Sequence, residues 1–184
     1  ICLIARCNKK RCTSLLMFSN DEGKTWSEPV EAPVSLNGER HKADYTPDGR
    51  LFITFRSIER NKEAYDKNNV EAGKRNWYSE GWVAWVGTYD DLKNGKEGQY
   101  RIKIAHTYLN NQDSPALAAN GDTGYCGNVV LPDGTVVTSS YGIFSPEEMK
   151  EGTQKTDKGK QSRRTYIVSK RINLKDVDKL VEKL

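Results

Sequence analysis

At 184 residues and 20.8 kDa the chain is long enough for one ordinary core, and its 36% hydrophobic and 29% charged residues exclude a wholly disordered chain. The net charge of +4 is spread over interleaved positive and negative residues, apart from a basic stretch over residues 150–164, which argues against nucleic acid as a partner. No apolar run approaches the roughly 20 residues that a membrane-spanning helix requires, no signal peptide shows, and because Ile1 reads as part of a strand any targeting segment is expected upstream.

In chain order, strand patterns cover residues 1–5, ending at Arg6, and residues 14–18. The turn Ser19-Asn20-Asp21-Glu22-Gly23-Lys24-Thr25-Trp26 follows, then a short strand near residues 26–30. In that turn Asp21 is suited to accept backbone N–H bonds, Gly23 to take a positive φ, Thr25 to bond back through its hydroxyl, and Trp26 to cover the loop with an apolar face. Residues 40–45 and 51–55 flank Pro47-Asp48-Gly49, a hairpin connection of known turn chemistry, and lead to Arg56. Residues 57–79 are polar and aperiodic, and read as a long surface insertion with a helical turn around 62–67. Strand signal resumes at 82–89 and at 100–108, on either side of a turn-rich DDLKNGKEG. A second hairpin, 125–131 and 135–141 about Pro132-Asp133-Gly134, repeats the first. Arg40 and Tyr125 fall equally far ahead of their turns, and Arg56 and Tyr141 equally far behind them. Residues 144–164 are a second polar insertion, 165–172 a strand, and Leu174, Val177, Leu180, Val181 and Leu184 recur at helical spacing behind Asn173, a suitable N-cap.

Cys2, Cys7, Cys12 and Cys126 have neither the paired spacing of a zinc site nor the density of a disulfide scaffold; thiols are expected, with one disulfide among the first three left open. His41 and His106 lie far apart in sequence, so no metal and no cofactor is expected. Trp82 and Trp85, three apart on one strand, are expected on opposite faces, one packed and the other turned outward.

SNDEGKTW resembles, at Ser19, Asp21, Gly23, Thr25 and Trp26, the Asp-box of sialidases and related β-propellers, a structural hairpin remote from the catalytic centre. The resemblance implies an all-β propeller of four-stranded antiparallel blades. On that frame residues 1–36 form a partial blade with the Asp-box, 37–110 a full blade carrying the insertion 57–79, and 120–184 a partial last blade. Together these are about two and a half blades and a short C-terminal helix. Too few to close a ring, they are expected to be the C-terminal part of a larger propeller, closed by its remaining blades or by an oligomer partner.

Inner strands of a propeller converge on one mouth of its channel, which would gather Arg6, Arg40, Arg56, Tyr125 and Tyr141. CLIAR ending at Arg6, then SNDEGKTW, then PDGRLFITFR ending at Arg56, then GYCGNVVLPDG carrying Tyr125, and finally TYIVSKRINL follow the order of the sialidase C-terminal half. The resemblance implies an exo-acting, retaining glycosidase on a sialylated or other anionic glycan, in a secreted, periplasmic or cell-surface protein. Tyr125 would be the nucleophile, an accepted exception to the two-carboxylate rule. Arg6 and Arg56 would bind the sugar carboxylate in forked hydrogen bonds, with Arg60 and Arg75 as other counterparts of the family's third arginine. Arg40 and His41 would add an anion contact. A phenol titrates near pH 10 unaided, and the family's Glu partner, its general-acid Asp and its first arginine all lie upstream of Ile1. The chain alone is therefore expected not to turn over, and Asp44 and Asp122 are the nearest surrogate bases. Tyr125 also suits strand packing, and Arg40 and Arg56 also suit salt bridges at strand ends. Two rivals therefore stand beside the glycosidase: a carbohydrate-binding or scaffolding Asp-box propeller, and a propeller lyase or glycosidase of other specificity using Arg40 and His41.

Overall fold

The structure, a computed structural model, describes residues 1–8, 12–60, 77–107, 123–144, 153–155, 161–163 and 165–183. It is mostly β, and every strand pair is antiparallel. β1 (Cys2–Ala5), β2 (Leu15–Phe18) and β3 (Val30–Glu31) form the first sheet. β4 (Gly38–Tyr45), β5 (Leu51–Arg60), β6 (Trp77–Gly87) and β7 (Tyr100–Ala105) form the second, in sequence order. In the third, β9 (Thr135–Gly142) lies between β8 (Gly124–Val130) and β12 (Tyr166–Asn173), and a separate ribbon pairs β10 (Thr153–Lys155) with β11 (Gln161–Arg163).

The second sheet is the middle layer. Leu51, Ile53 and Phe55 of β5 and Val83 and Trp85 of β6 share one face and pack against Leu16, Leu36 and Leu92. Phe52, Ala84 and Val86 point the other way, onto Val136 of β9 and Leu174. The unbroken apolar runs LFITF and WVAWV suit strands covered on both faces. This corrects the expectation for the tryptophans: Trp82 and Trp85 are each 0% exposed, because each face of the sheet has its own cover.

The turns follow their local chemistry. Asp21 Oδ1 accepts from Ser19 Oγ (2.8 Å) and from the Thr25 amide (2.9 Å), and Asp21 Oδ2 accepts from Thr25 Oγ1 (2.6 Å). Gly23 sits at φ +88°, so Asp21, Gly23 and Thr25 act as their residue types suggest, and Trp26 Nε1 adds a bond to the Gly23 carbonyl (3.0 Å). These bonds, those of Thr25 foremost, hold the Asp21 carboxyl well down, at about 2. In the two Pro-Asp-Gly turns Asp48 Oδ1 accepts from Thr46 Oγ1 (2.6 Å) and Asp133 Oδ1 from the Thr135 amide (2.9 Å). The hairpins lie side by side: Asn128 of β8 donates to the Lys42 carbonyl of β4 (3.2 Å) while its Oδ1 accepts from Thr54 (3.1 Å) and Thr138 (2.7 Å).

Some elements differ from expectation. β5 runs to Arg60 and β6 starts at Trp77, so strands extend into both ends of the expected insertion; residues 61–76, with the expected helical turn, lie outside the described residues. The ribbon β10–β11 falls within the second polar insertion. DDLKNGKEG contains part of helix α1 (Tyr89–Lys93), started by a capping box in which Thr88 Oγ1 accepts from the Asp91 amide and Asp91 accepts from the Thr88 amide (2.8 Å). Helix α2 (Leu174–Val181) begins as expected, with Asn173 Oδ1 accepting from the Lys175 amide (3.0 Å). None of the four cysteines is in a disulfide.

Candidate active site

Two bulges build the site. β4 and β5 pair in one register from Lys42 to Tyr45 and in a register one residue displaced at Glu39 and Gly38, leaving an extra residue in the Arg40–His41 step. β8 and β9 shift likewise between Gly124 and Gly127, with the extra residue in the Tyr125–Cys126 step. Arg40 (φ +63°) and Tyr125 (φ +50°) both occupy the left-handed region, which costs a residue with a Cβ on the order of 1 kcal/mol or more. A bulge with such a residue re-aims a side chain out of the strand's alternation. Here two occur at the equivalent positions of a repeated hairpin and aim at each other.

Arg40 Cζ lies 4.5 Å from the centroid of the Tyr125 ring, and Arg40 Nη1 donates to the Thr123 carbonyl and the Tyr141 hydroxyl, each at 2.6 Å. Gly124 makes room for this crossing: at φ +117° it has no Cβ, and one built there would stand 2.7 Å from Arg40 Cδ. The Tyr125 side chain faces solvent, the residue being 73% exposed. Behind it Cys126 is buried, which pushes its thiol up from the ordinary value and makes it a poor nucleophile.

The preceding residue holds the other arginines. Glu39 is buried, faces Arg56 across the hairpin, and its Oε2 accepts from Arg56 Nη2 and, at 3.5 Å, from Arg6 Nη1. Arg6 arrives from the end of β1 and remains half exposed, whereas Arg56 is largely covered. Arg6, Arg56 and Arg40 are thus joined through the consecutive residues Glu39 and Arg40, with Tyr125 and Tyr141 at the Arg40 end. Sequence reasoning missed Glu39, Thr123 and Gly124. The signal for Glu39 is its charge opposite Arg56, but that pairing appears only once the bulge has moved the register.

His41 lies apart from Tyr125. Its ring stacks on Phe55 (centroids 5.0 Å apart, planes at 23°) and its Nε2 donates to the Leu36 carbonyl at 3.0 Å. Burial pushes its pKa down to about 4, so near neutral pH it is an uncharged donor in the wall of the first apolar cluster. Asp44 pairs with Lys42 (3.4 Å), while Asp122, Arg75 and the Arg60 side chain lie outside the described residues. Among the described residues no group of three or more His, Cys, Asp or Glu side chains is placed to hold a metal ion, and no helix is long and apolar enough to cross a membrane.

The guanidinium groups of Arg6 and Arg56 against the single carboxylate of Glu39 leave a net positive charge, and the half-exposed Arg6 can offer donors to a planar anion. A solvent-facing phenol stands at the edge of this cluster. Comparison of the chain with protein families, with curated proteins and with solved structures finds no match.

Proposed function

We propose that the chain is part of a sialidase-like β-propeller and that its full-length protein is a glycosidase, exo-acting and retaining on a terminal anionic sugar such as sialic acid. The observation that carries this reading is the juxtaposition of the solvent-facing Tyr125 with Arg40, at matching strained bulges, beside the Arg6–Glu39–Arg56 cluster. The propeller is supported by the layering of the sheets and by the two hairpins lying side by side with their bulges in step.

Tyr125 Oη would attack the anomeric carbon as the glycosidic C–O bond breaks and the departing aglycone oxygen takes a proton; water would displace the tyrosine in the second step, which returns the original anomeric configuration. A neutral phenol approaches a carboxylate-bearing sugar without the repulsion that an attacking carboxylate would meet. The half-exposed Arg6 and the covered Arg56 would hold the sugar carboxylate, and the base that accepts the phenol proton would come from the part of the protein that precedes this chain, as would the general acid. The resemblance further suggests export from the cell.

The test is Tyr125→Phe in the full-length protein with a fluorogenic sialoside. Turnover should fall by about 10³-fold or more while binding of free sialic acid persists. A variant that retains wild-type turnover would remove Tyr125 from the chemistry. A second reading is favoured by the 73% exposure of Tyr125, since an open aromatic ring backed by a cation is also a stacking platform for a sugar. In that case the wild-type protein binds an anionic glycan without hydrolysing it, and Tyr125→Ala abolishes the binding.

A further inference from the structure

We infer that Arg40 is the positioning residue of Tyr125 rather than a ligand of the sugar carboxylate; the inference rests on the glycosidase reading for its kinetic consequence, but its structural part stands without it. Tyr125 protrudes from an edge strand, and the residue is 73% exposed. Such a ring would sweep a range of χ angles, and an attacking oxygen displaced by about 1 Å can lose about 10²-fold in rate. The Arg40 guanidinium lies over its face, with Cζ 4.5 Å from the ring centroid.

The guanidinium is itself fixed. Nη1 bridges the Thr123 carbonyl and the Tyr141 hydroxyl, both at 2.6 Å, and so is tied to both strands of the hairpin at the Gly124–Tyr141 end of the bulge that carries Tyr125. The stem of Arg40 lies over Gly124, where a Cβ would approach Cδ to 2.7 Å. The main chain is strained at both ends of the contact, with Arg40 at φ +63° and Tyr125 at φ +50°. Strain of that kind persists only where its surroundings over-determine it. These features converge on holding one face of the Tyr125 ring. A side chain meant to fork onto a substrate carboxylate would keep its terminal nitrogens toward the ligand. Arg40 instead commits Nη1 to two acceptors of the protein, and the half-exposed Arg6 is the better placed anion ligand.

The experiment compares Arg40→Leu and Arg40→Lys with wild type in the full-length protein. With a sialoside, both variants should lose about 10- to 100-fold in kcat with KM within about twofold of wild type. The lysine variant should stay impaired, since an ammonium keeps the charge but not the planar fork. A rise of about 10-fold or more in KM with kcat preserved would make Arg40 a substrate ligand. A lowered Tm with unaltered kinetics would make it a strand-to-strand tie. Either result overturns the inference, as does full activity of Arg40→Lys. A readout independent of substrate is the NMR shift of the Arg40 Hδ protons, which the Tyr125 ring should move upfield and Tyr125→Leu should restore. If that signature is present and the wild-type protein turns over no sialoside, the glycosidase reading fails and the positioning of Tyr125 by Arg40 stands. If turnover is present and the signature absent, the inference fails alone.

Discussion

Glu39 lies opposite Arg56 because of one extra residue. Extended unbroken, the register that pairs Lys42 with Thr54 would bring Arg40 against Arg56 and two guanidinium groups together; the bulge substitutes the carboxylate of Glu39 and turns Arg40 toward the third sheet. The same step in β8 puts Gly124 opposite Tyr141 and sends Tyr125 outward. His41, the next residue of the first bulge, lends itself to a pH test. Its folded pKa of about 4 lies below the ordinary 6.5, so between those values the unfolded chain binds a proton that the native chain does not. Its contribution is therefore whole above about pH 6.5 and is lost as pH falls toward 4. The unfolding free energy from urea titration should drop across that window by an amount on the order of 3 kcal/mol, and His41→Gln should flatten the slope. Asp21 and Asp48, both held at about 2, would act only at lower pH, between about 4 and 2, so the two effects separate.

Among the elements, α2 shows how a short helix is kept. Eight residues do not sustain a helix in water on their own. This one is docked by Leu174, buried in the second apolar cluster, and by Asp178, whose two oxygens accept from Arg50 Nη1 (2.8 Å) and Nη2 (3.0 Å). The Tyr100 hydroxyl also donates to Asp178 (2.5 Å); burial first, then this bond to a carboxylate, raises the Tyr100 phenol to about 12. Arg50 holds Asp178 below the usual carboxylate range. Asp178→Ala should cost about 1–2 kcal/mol, discounted for partial exposure, and should speed amide exchange in residues 176–181 well before the sheets open. Unchanged exchange there would mean that Leu174 alone anchors the helix.

Across the whole molecule the second sheet carries the layers on either side of it. Trp85 is its largest side chain toward the first sheet, with Nε1 donating to the Glu97 carbonyl at 2.7 Å and Gly87 and Gly98 packed so close to the ring that neither has room for a Cβ. Trp85→Ala should cost about 3–5 kcal/mol, a large share of the stability of a single domain, read as a lowered midpoint of chemical unfolding. Loss of less than about 1 kcal/mol would mean that the first sheet closes over the gap. The full cover of both tryptophans was not legible from a strand pattern, because alternation reports which face a residue takes and not what lies over that face.

Legible in the sequence were the parts held by bonds within a few residues, the SNDEGKTW lock, both Pro-Asp-Gly turns and the Asn173 cap, together with most of the strands, whose patterning shows in the chain itself. The sequence also put Arg40 and Tyr125 at equivalent places in a repeat. That they touch, that Glu39 gathers Arg6 and Arg56, and that His41 turns to Phe55 came only with tertiary packing. The physical reason is the bulge. Which residue a strand leaves unpaired depends on how β8 seats against β4, a contact between segments some eighty residues apart that no local pattern encodes.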